Sequence, residues 1–448
     1  MGSSSLAKVY VFSFPLHLAA RPKLTSRLQA QWVGMGKVAL SQFPIMLDTI
    51  EKLDRILSKL TPKPSFTLTE MFLGDAETNS SRINDAEVAQ PLCTAIQIAI
   101  VDLFFQWNIT PVVSIGHSSG EIGAAYAAGL ISAPEAIIAA FCRGRAVRTS
   151  APGSMLAVGL GAADVGNFLT DINNIHIACE NSPGSVTLSG DAEAIAKLGQ
   201  DMKAKGIFAQ ELNTGRAYHS PYMASVGEEY DAMLPQDLAV LAEDDLVWRH
   251  PRSHMISSVT GEPLTGETID PGYWSTNLRQ RVLFDTAVRR MGSDKEFDQV
   301  STVIEVGCHS ALSRAFKQIG LADKTYVPSL LRNKDDADQL LSVAGSLFLA
   351  GYPVDLEKVN FDDAQESGAF RKSKIQYLLV DLPRYQWNYE KRFWTEPRAS
   401  AEQRARTHPR HDLLGSRVAG LSNSCKVWRN VLRLRDVPWL KDHNVSLC

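Results

Sequence analysis

The stretch Val112-Val113-Ser114-Ile115-Gly116-His117-Ser118-Ser119-Gly120-Glu121 decides how this chain is read. Val112 to Ile115 is a short β-branched run, apolar enough to be a central strand of a parallel sheet. Gly116, Ser118 and Gly120 then spell Gly-x-Ser-x-Gly, and a breaker-free, Ala-rich helix is expected over 121–128. A sharp strand-to-helix turn lifts a serine hydroxyl above the sheet in strained backbone geometry, and glycines two residues to either side make room for it. The N–H of Ser119 and the helix start would face an oxyanion formed at Ser118.

Upstream, residues 87–107 contain an unbroken apolar run, Thr94 to Phe105, long enough for a well-buried helix. Residues 1–23 show no period and read as an irregular lead-in. Downstream, residues 155–212 change rhythm: strand 155–160, helix 162–169, strands 175–179 and 185–189 around the turn Asn181-Ser182-Pro183-Gly184, a helix capped by Asp191 and stopped by Gly206, and strand 208–212. That β-α-β-β-α-β order is the ferredoxin-like unit. The expected fold is therefore α/β: a hydrolase-like core with a parallel sheet over 24–150 and 216–335, and an inserted ferredoxin-like subdomain over 151–215. Residues 336–400 read as a following segment, with the polar, basic stretch 399–411 a linker by composition. Residues 427–435 partly alternate apolar and polar, as a half-exposed strand does.

The 448 residues allow two to three domains. A formal net charge of −3 with scattered basic residues gives no field for nucleic acid, so small molecules or proteins are the expected partners. Six cysteines lie far apart without a Cys-x-x-Cys pair, which argues against a disulfide framework and a zinc site and favours a reducing, cytoplasmic setting. The apolar run Val9 to Leu16 is short for a signal peptide, and no stretch is read as long enough to span a membrane.

A Gly-x-Ser-x-Gly elbow needs a base. An ordinary α/β-hydrolase places an acid and then a histidine late in the chain. A transacylase uses a Ser–His pair, with the histidine held by a carbonyl or amide oxygen.

Other segments now join the elbow. Ala217-Tyr218-His219-Ser220-Pro221, Asn181-Ser182-Pro183, Ser185 to Gly190, Ser258-Val259-Thr260-Gly261 and Glu305 to Leu312 follow Gly116 to Glu121 in the order seen in polyketide synthase acyltransferase domains. Over about residues 29–395 the chain resembles that family, in its fungal, highly reducing form. The resemblance implies that Ser118 takes the acyl group from an acyl-CoA as an ester and that His219 is its base. It implies a histidine-orienting amide at Asn277 and a grip on the substrate carboxylate at Arg143, 25 residues after Ser118, with Arg145 the surface residue of the two. His117 and Tyr218 would line the substrate. The bulky Tyr218 before His219 resembles malonyl-selective members, although Arg216 is not the usual residue at its place. Malonyl-CoA, a phosphopantetheinylated acyl carrier protein and other synthase domains are the implied partners, with no tightly bound cofactor, no metal, no nucleic acid and no membrane.

The family's first motif, Gly-Gln-Gly-Ala-Gln-Trp, reads Arg27-Leu28-Gln29-Ala30-Gln31-Trp32 here. Leu28 stands where the second oxyanion donor, a main-chain N–H, is expected beside that of Ser119. Losing one such donor costs about 10²–10³ in rate. A catalytically impaired fragment is the alternative expectation. Leu382 to Trp387 resembles the linker that follows such domains. His411 to Gly415 and Trp439 to Val445 resemble the opening of a product-template domain or, more closely, a dehydratase hot-dog fold, placed at 401–448. The dehydratase counterpart of His443 is a catalytic base, but its catalytic Asp is missing, so no dehydratase activity is expected.

Overall fold

A computed structural model describes residues 8–13, 31–75, 80–360 and 387–443, apart from 171, 213, 265–267, 299, 322, 389, 392 and 393. The chain divides into two units, Met1–Arg371 and Lys372–Cys448.

In chain order the first unit contains β1 (Lys8–Ser13), α1 (Pro44–Ser58), α2 (Ala86–Gln106), β2 (Pro111–Gly116), α3 (Gly120–Ala127), α4 (Ala133–Arg148), β3 (Ser154–Val158), α5 (Ala162–Leu169), β4 (Ile175–Ser182), β5 (Ser185–Gly190), α6 (Ala192–Ala204) and β6 (Ala209–Leu212). It continues with α7 (Ala224–Leu238), β7 (His254–Ile256), α8 (Gly272–Arg279), α9 (Phe284–Ser293), β8 (Val300–Val306), α10 (Ser313–Ile319), β9 (Thr325–Pro328) and α11 (Asp336–Leu349).

Five strands form one sheet in the order β7-β2-β1-β8-β9, every pairing parallel. The strand β1 corrects the irregular lead-in read for residues 1–23: it is the middle strand, with Val11 paired to Ser114 on one side and Ile304 on the other. The cause of the misreading is physical. A central parallel strand needs no polar/apolar alternation, so a six-residue run carries no period to read.

Helix α2 also corrects an expectation, because its length and mean hydropathy of 1.7 do reach those of a membrane-crossing segment. It is instead the core helix of this domain. Gln90, Thr94, Gln97 and Asp102 are buried along it, and Asp102 accepts a hydrogen bond from Thr49 of α1 at 2.7 Å.

The inserted subdomain forms as its pattern predicts. Its four strands are antiparallel in the order β4-β5-β3-β6, with α5 and α6 packed over Leu156, Val158, Val186 and Leu188. Asp191 Oδ1 caps α6 by accepting from the Ala194 N–H at 2.9 Å. One edge of this sheet is tied to the core: the N–H of Glu180 donates to Val282 O, and the N–H of Val282 donates to Ala178 O, both at 2.8 Å.

The boundary read at 335 falls too early. Helix α11 buries Leu340, Val343, Ala344 and Leu347 in the main core, and the Asp355 N–H donates to Trp107 O at 2.9 Å.

In the second unit the stretch read as a linker, 399–411, begins instead within a helix, α12 (Arg398–Arg404). An i,i+4 pair between Arg398 and Glu402 at 2.6 Å supports it. The strand read over 427–435 is reduced to Trp428–Arg429, paired antiparallel with Ser416–Arg417. Among described residues 394–443 only Gly415 and Val437 are buried, so this segment has no core of its own. The motif Leu382 to Gln386 lies outside the described residues.

Candidate active site

The Gly-x-Ser-x-Gly turn joins β2 to α3 as read. A Cβ on Gly116 would lie 2.2 Å from Glu121 Cα and 2.3 Å from its nitrogen, so only glycine lets the helix start fold back over the strand. Ser118 sits at φ 54°, in the left-handed region that a non-glycine residue seldom occupies. Ser119 is the N-cap of α3, whose first N–H groups have no partner within the helix.

His219 arrives from the loop after β6, also at positive φ (57°). Its Nε2 is 2.5 Å from Ser118 Oγ, and its Nδ1 is 2.9 Å from the main-chain carbonyl of Gln280. A carbonyl accepts only, so Nδ1 carries the proton and Nε2 offers its lone pair to the serine hydroxyl. Burial first, then the nearby Arg143 charge, lower the histidine pKa to about 3, well below the ordinary value at which sequence alone would place it. The ring is a neutral base.

The orienting group read at Asn277 is thereby corrected. It is the Gln280 carbonyl that holds Nδ1, because α8 ends there and leaves its last carbonyls without helical partners. The Asn277 side chain does something else. Its Nδ2 donates to Ser118 O at 3.1 Å and to Glu121 Oε2 at 2.9 Å, and its Oδ1 accepts from Arg143 Nη1 at 3.0 Å.

Arg143 lies on α4, which opens with a capping box between Ser132 and Glu135. Arg143 is 1 % exposed. Among the described residues no carboxylate lies within ion-pair distance of it, its Nη2 reaches Ser118 Oγ only at 3.5 Å, and its Nε has no partner. Burial lowers its pKa, with Tyr230, Tyr218 and Glu121 opposing. Arg145, two residues on, pairs with Asp237 at 3.0 Å and stands away from the dyad, as expected.

His117 donates from Nε2 to Asn181 Oδ1 at 2.8 Å, while Asn181 Nδ2 donates to Thr187 Oγ1 at 3.2 Å. The elbow is thus pinned to the ferredoxin-like subdomain. Burial lowers the His117 pKa to about 4, so this ring is neutral as well. Tyr218 is buried, hydrogen-bonded to Gln90, and its ring centroid is 6.5 Å from that of His219. A cavity of about 480 Å³ opens beside it, with Gln31, Arg82, Glu87 and Arg216 in its wall. Arg216 donates to Val147 O (3.3 Å) and Arg148 O (3.3 Å) at the end of α4, and to Gly215 O (3.1 Å). Leu28 lies outside the described residues.

The structure brings Ser118, His219, Arg143, His117 and Tyr218 together. Sequence reading missed Gln280, whose contribution is a main-chain carbonyl and leaves no mark on residue type. It also missed the role of Glu121, which was quoted as part of the elbow. A charged residue inside an otherwise apolar, Ala-rich helix was the available signal.

Comparison with known proteins identifies the family. Residues 29–354 match the model of the acyl transferase domain family. The chain is 44% identical over 428 residues to the reducing polyketide synthase DEP5 of Alternaria brassicicola, covering 93% of this chain and 18% of that protein. It is likewise 44% identical over 430 residues to the highly reducing polyketide synthase resH of Aspergillus sclerotiorum, covering 93% of this chain and 16% of that protein. The chain therefore spans less than a fifth of the length of these curated relatives. The fold is shared with the acyl transferase domain of ZmaA (TM-score 0.66, 22% identity, 80% of this chain and 78% of that one). It is also shared with the malonyl CoA-acyl carrier protein transacylase of Clostridium perfringens (TM-score 0.61, 21% identity, 77% and 99%). An elbow serine against a carbonyl-held histidine, set in a parallel sheet with a ferredoxin-like insertion and matched by the family model over most of its length, places this chain in the acyl transferase domain family.

Proposed function

We propose that this chain moves a malonyl group from CoA to the phosphopantetheine thiol of an acyl carrier protein, through an ester on Ser118, as one step of polyketide assembly. The observation that carries this reading is the buried Arg143 guanidinium. Among the described residues it has no carboxylate partner, and its Nη2 lies 3.5 Å from the nucleophile. A buried cation with no counter-charge in contact is costly, and an acyl group bearing its own carboxylate would supply one.

The chemistry follows from the proton positions. His219 Nε2 takes the Ser118 hydroxyl proton as Oγ attacks the thioester carbon, and the Gln280 carbonyl steadies the imidazolium through Nδ1. The Ser119 N–H receives the oxyanion, with Leu28 proposed as the second donor. Collapse breaks the C–S bond, and the CoA sulfur leaves with the proton from Nε2. The carrier thiol then reverses the sequence, giving its proton to His219 as its sulfur attacks the seryl ester. The bulky Tyr218 next to His219 resembles malonyl-selective members of the family, which supports malonyl over branched extenders. The assembled dyad and Arg143 support an active site rather than an impaired fragment. Partner synthase domains, a cytoplasmic setting and the dehydratase-like start at 401–448 belong to the same proposal, on the resemblance alone.

Intact-protein mass spectrometry after mixing with malonyl-CoA tests it. A malonyl-sized gain lost in Ser118→Ala and diminished in Arg143→Ala is expected. No gain in a folded sample would overturn it.

A further inference from the structure

Arg143 is buried beside a nucleophile, yet among the described residues its one short hydrogen bond is to a neutral side chain. That side chain, the Asn277 amide, has every position spoken for: Oδ1 accepts from Arg143 Nη1, and both Nδ2 hydrogens are given, one to Ser118 O and one to Glu121 Oε2. Its orientation is fixed by chemistry, since the flipped amide would set N–H against guanidinium and oxygen against carboxylate.

Glu121 lies one amide beyond. It is fully buried on α3, three residues from Ser118. All its partners donate: the Ser258 N–H to Oε1, and the Tyr273 hydroxyl (2.7 Å) and Asn277 Nδ2 (2.9 Å) to Oε2. Burial raises the Glu121 pKa and these hydrogen bonds oppose the rise; three donors on two oxygens are what an ionised carboxylate accepts.

The geometry explains why the two charges are kept apart. A direct Arg143–Glu121 pair would occupy the guanidinium fork and neutralise it. The relay instead holds only Nη1 and leaves Nε and Nη2, the side-on edge suited to a two-point grip on a carboxylate, with Nη2 toward Ser118. The remote anion meanwhile offsets the burial of the cation.

We infer that Glu121, acting through Asn277, is the positioning residue that keeps Arg143 aimed, and that it thereby sets the preference of this site for acyl groups carrying a carboxylate. The inference rests on the malonyl reading above. It makes Glu121 and Asn277 determinants of selectivity, although neither touches the substrate.

The test compares loading of the full chain from malonyl-CoA and from acetyl-CoA, in the unaltered protein, Glu121→Gln, Arg143→Gln and the double variant. Tyr273→Phe, which removes one donor to Glu121 and no charge, serves as the milder probe should Glu121→Gln fail to fold. In Glu121→Gln the kcat/KM for malonyl-CoA should fall about tenfold more than that for acetyl-CoA, mainly through KM. The malonyl preference of Arg143→Gln should not change when Glu121→Gln is added, because the carboxylate then has no cation to aim. Tyr273→Phe should shift the preference in the same direction by a smaller factor.

Equal losses with both substrates, or a further loss of preference in the double variant, would make Glu121 a structural residue only and overturn the inference. If Arg143→Gln lowers the malonyl preference while Glu121→Gln does not, this inference falls and the malonyl reading stands. If the unaltered chain fails to prefer malonyl-CoA, both fall.

Discussion

Ser118 Oγ and His219 Nε2 meet at 2.5 Å across 101 residues of sequence, and both residues hold left-handed backbone, at φ 54° and 57°. Two strained residues facing each other mark where the fold spends stability on chemistry. Removing the base while keeping the nucleophile, as in His219→Gln, should slow acylation by about 10²–10⁴-fold. Stopped-flow or quenched mass spectrometry of the acyl-enzyme gives that number, and a loss under tenfold would mean that another group takes the serine proton.

Gly116 is the most constrained residue of the elbow. A methyl group there meets main-chain atoms of Glu121 rather than a movable side chain. Gly116→Ala should therefore displace α3 and lower stability by at least about 3 kcal/mol, in the range of severe core lesions. Thermal unfolding checks this, with Gly166→Ala, whose added Cβ meets nothing within 4 Å, as the control. Equal melting temperatures would show that the turn is looser than its geometry.

The elbow and the subdomain were legible because their devices are local. Gly116 and Gly120 bracket a turn, and Asp191 and Gly206 bracket a helix. The strand β1 was not legible, since Lys8–Ser13 takes its place in the sheet only through partners more than 100 residues away. Asn277 was found at the right place for the wrong reason. An amide two or three residues before the end of a helix is close to both a histidine and an arginine, and only three-dimensional hydrogen-bond accounting says which one it serves. The open edge of Arg143 had no sequence signature either, because an arginine looks the same whether or not a carboxylate of the chain faces it.

Burial of two neutral imidazoles gives a definite dependence of stability on pH. His117 and His219 have folded pKa values of about 4 and about 3, against about 6.5 in the unfolded chain. Above pH 6.5 neither state holds the proton, and these groups contribute nothing to the slope. Below it the unfolded chain binds protons that the folded chain refuses. Stability therefore falls with pH, by up to about 1.4 kcal/mol per unit for each histidine, until the folded rings titrate. Asp336, held up at about 6 by burial, acts in the opposite sense. A comparison of variants isolates the histidine contribution: between pH 6 and 5 the stability of His117→Gln should fall less steeply than that of the unaltered chain, by close to one proton. Parallel curves in denaturant titrations at several pH values would show that His117 is protonated in the fold.

Arg143 should trade stability against function more sharply than any other residue of the site. Its guanidinium is buried, has one hydrogen bond of good length, and has an unpaired Nε. Replacing such a charge by an apolar side chain of similar length removes a desolvation cost that nothing in the free protein fully repays. Arg143→Met should therefore leave the free protein as stable or raise its melting temperature, by about 1–2 °C for each 1 kcal/mol gained in a unit of this size. Addition of malonyl-CoA should raise the melting temperature of the unaltered chain and not that of the variant, because ligand stabilisation follows affinity for the folded state alone. A variant that melts well below the unaltered chain would show that Arg143 is structural cement. A variant that still gains stability from malonyl-CoA would show that the substrate carboxylate is held elsewhere. Stabilisation together with loss of the malonyl-CoA shift is the outcome that the unpaired edge of Arg143 predicts.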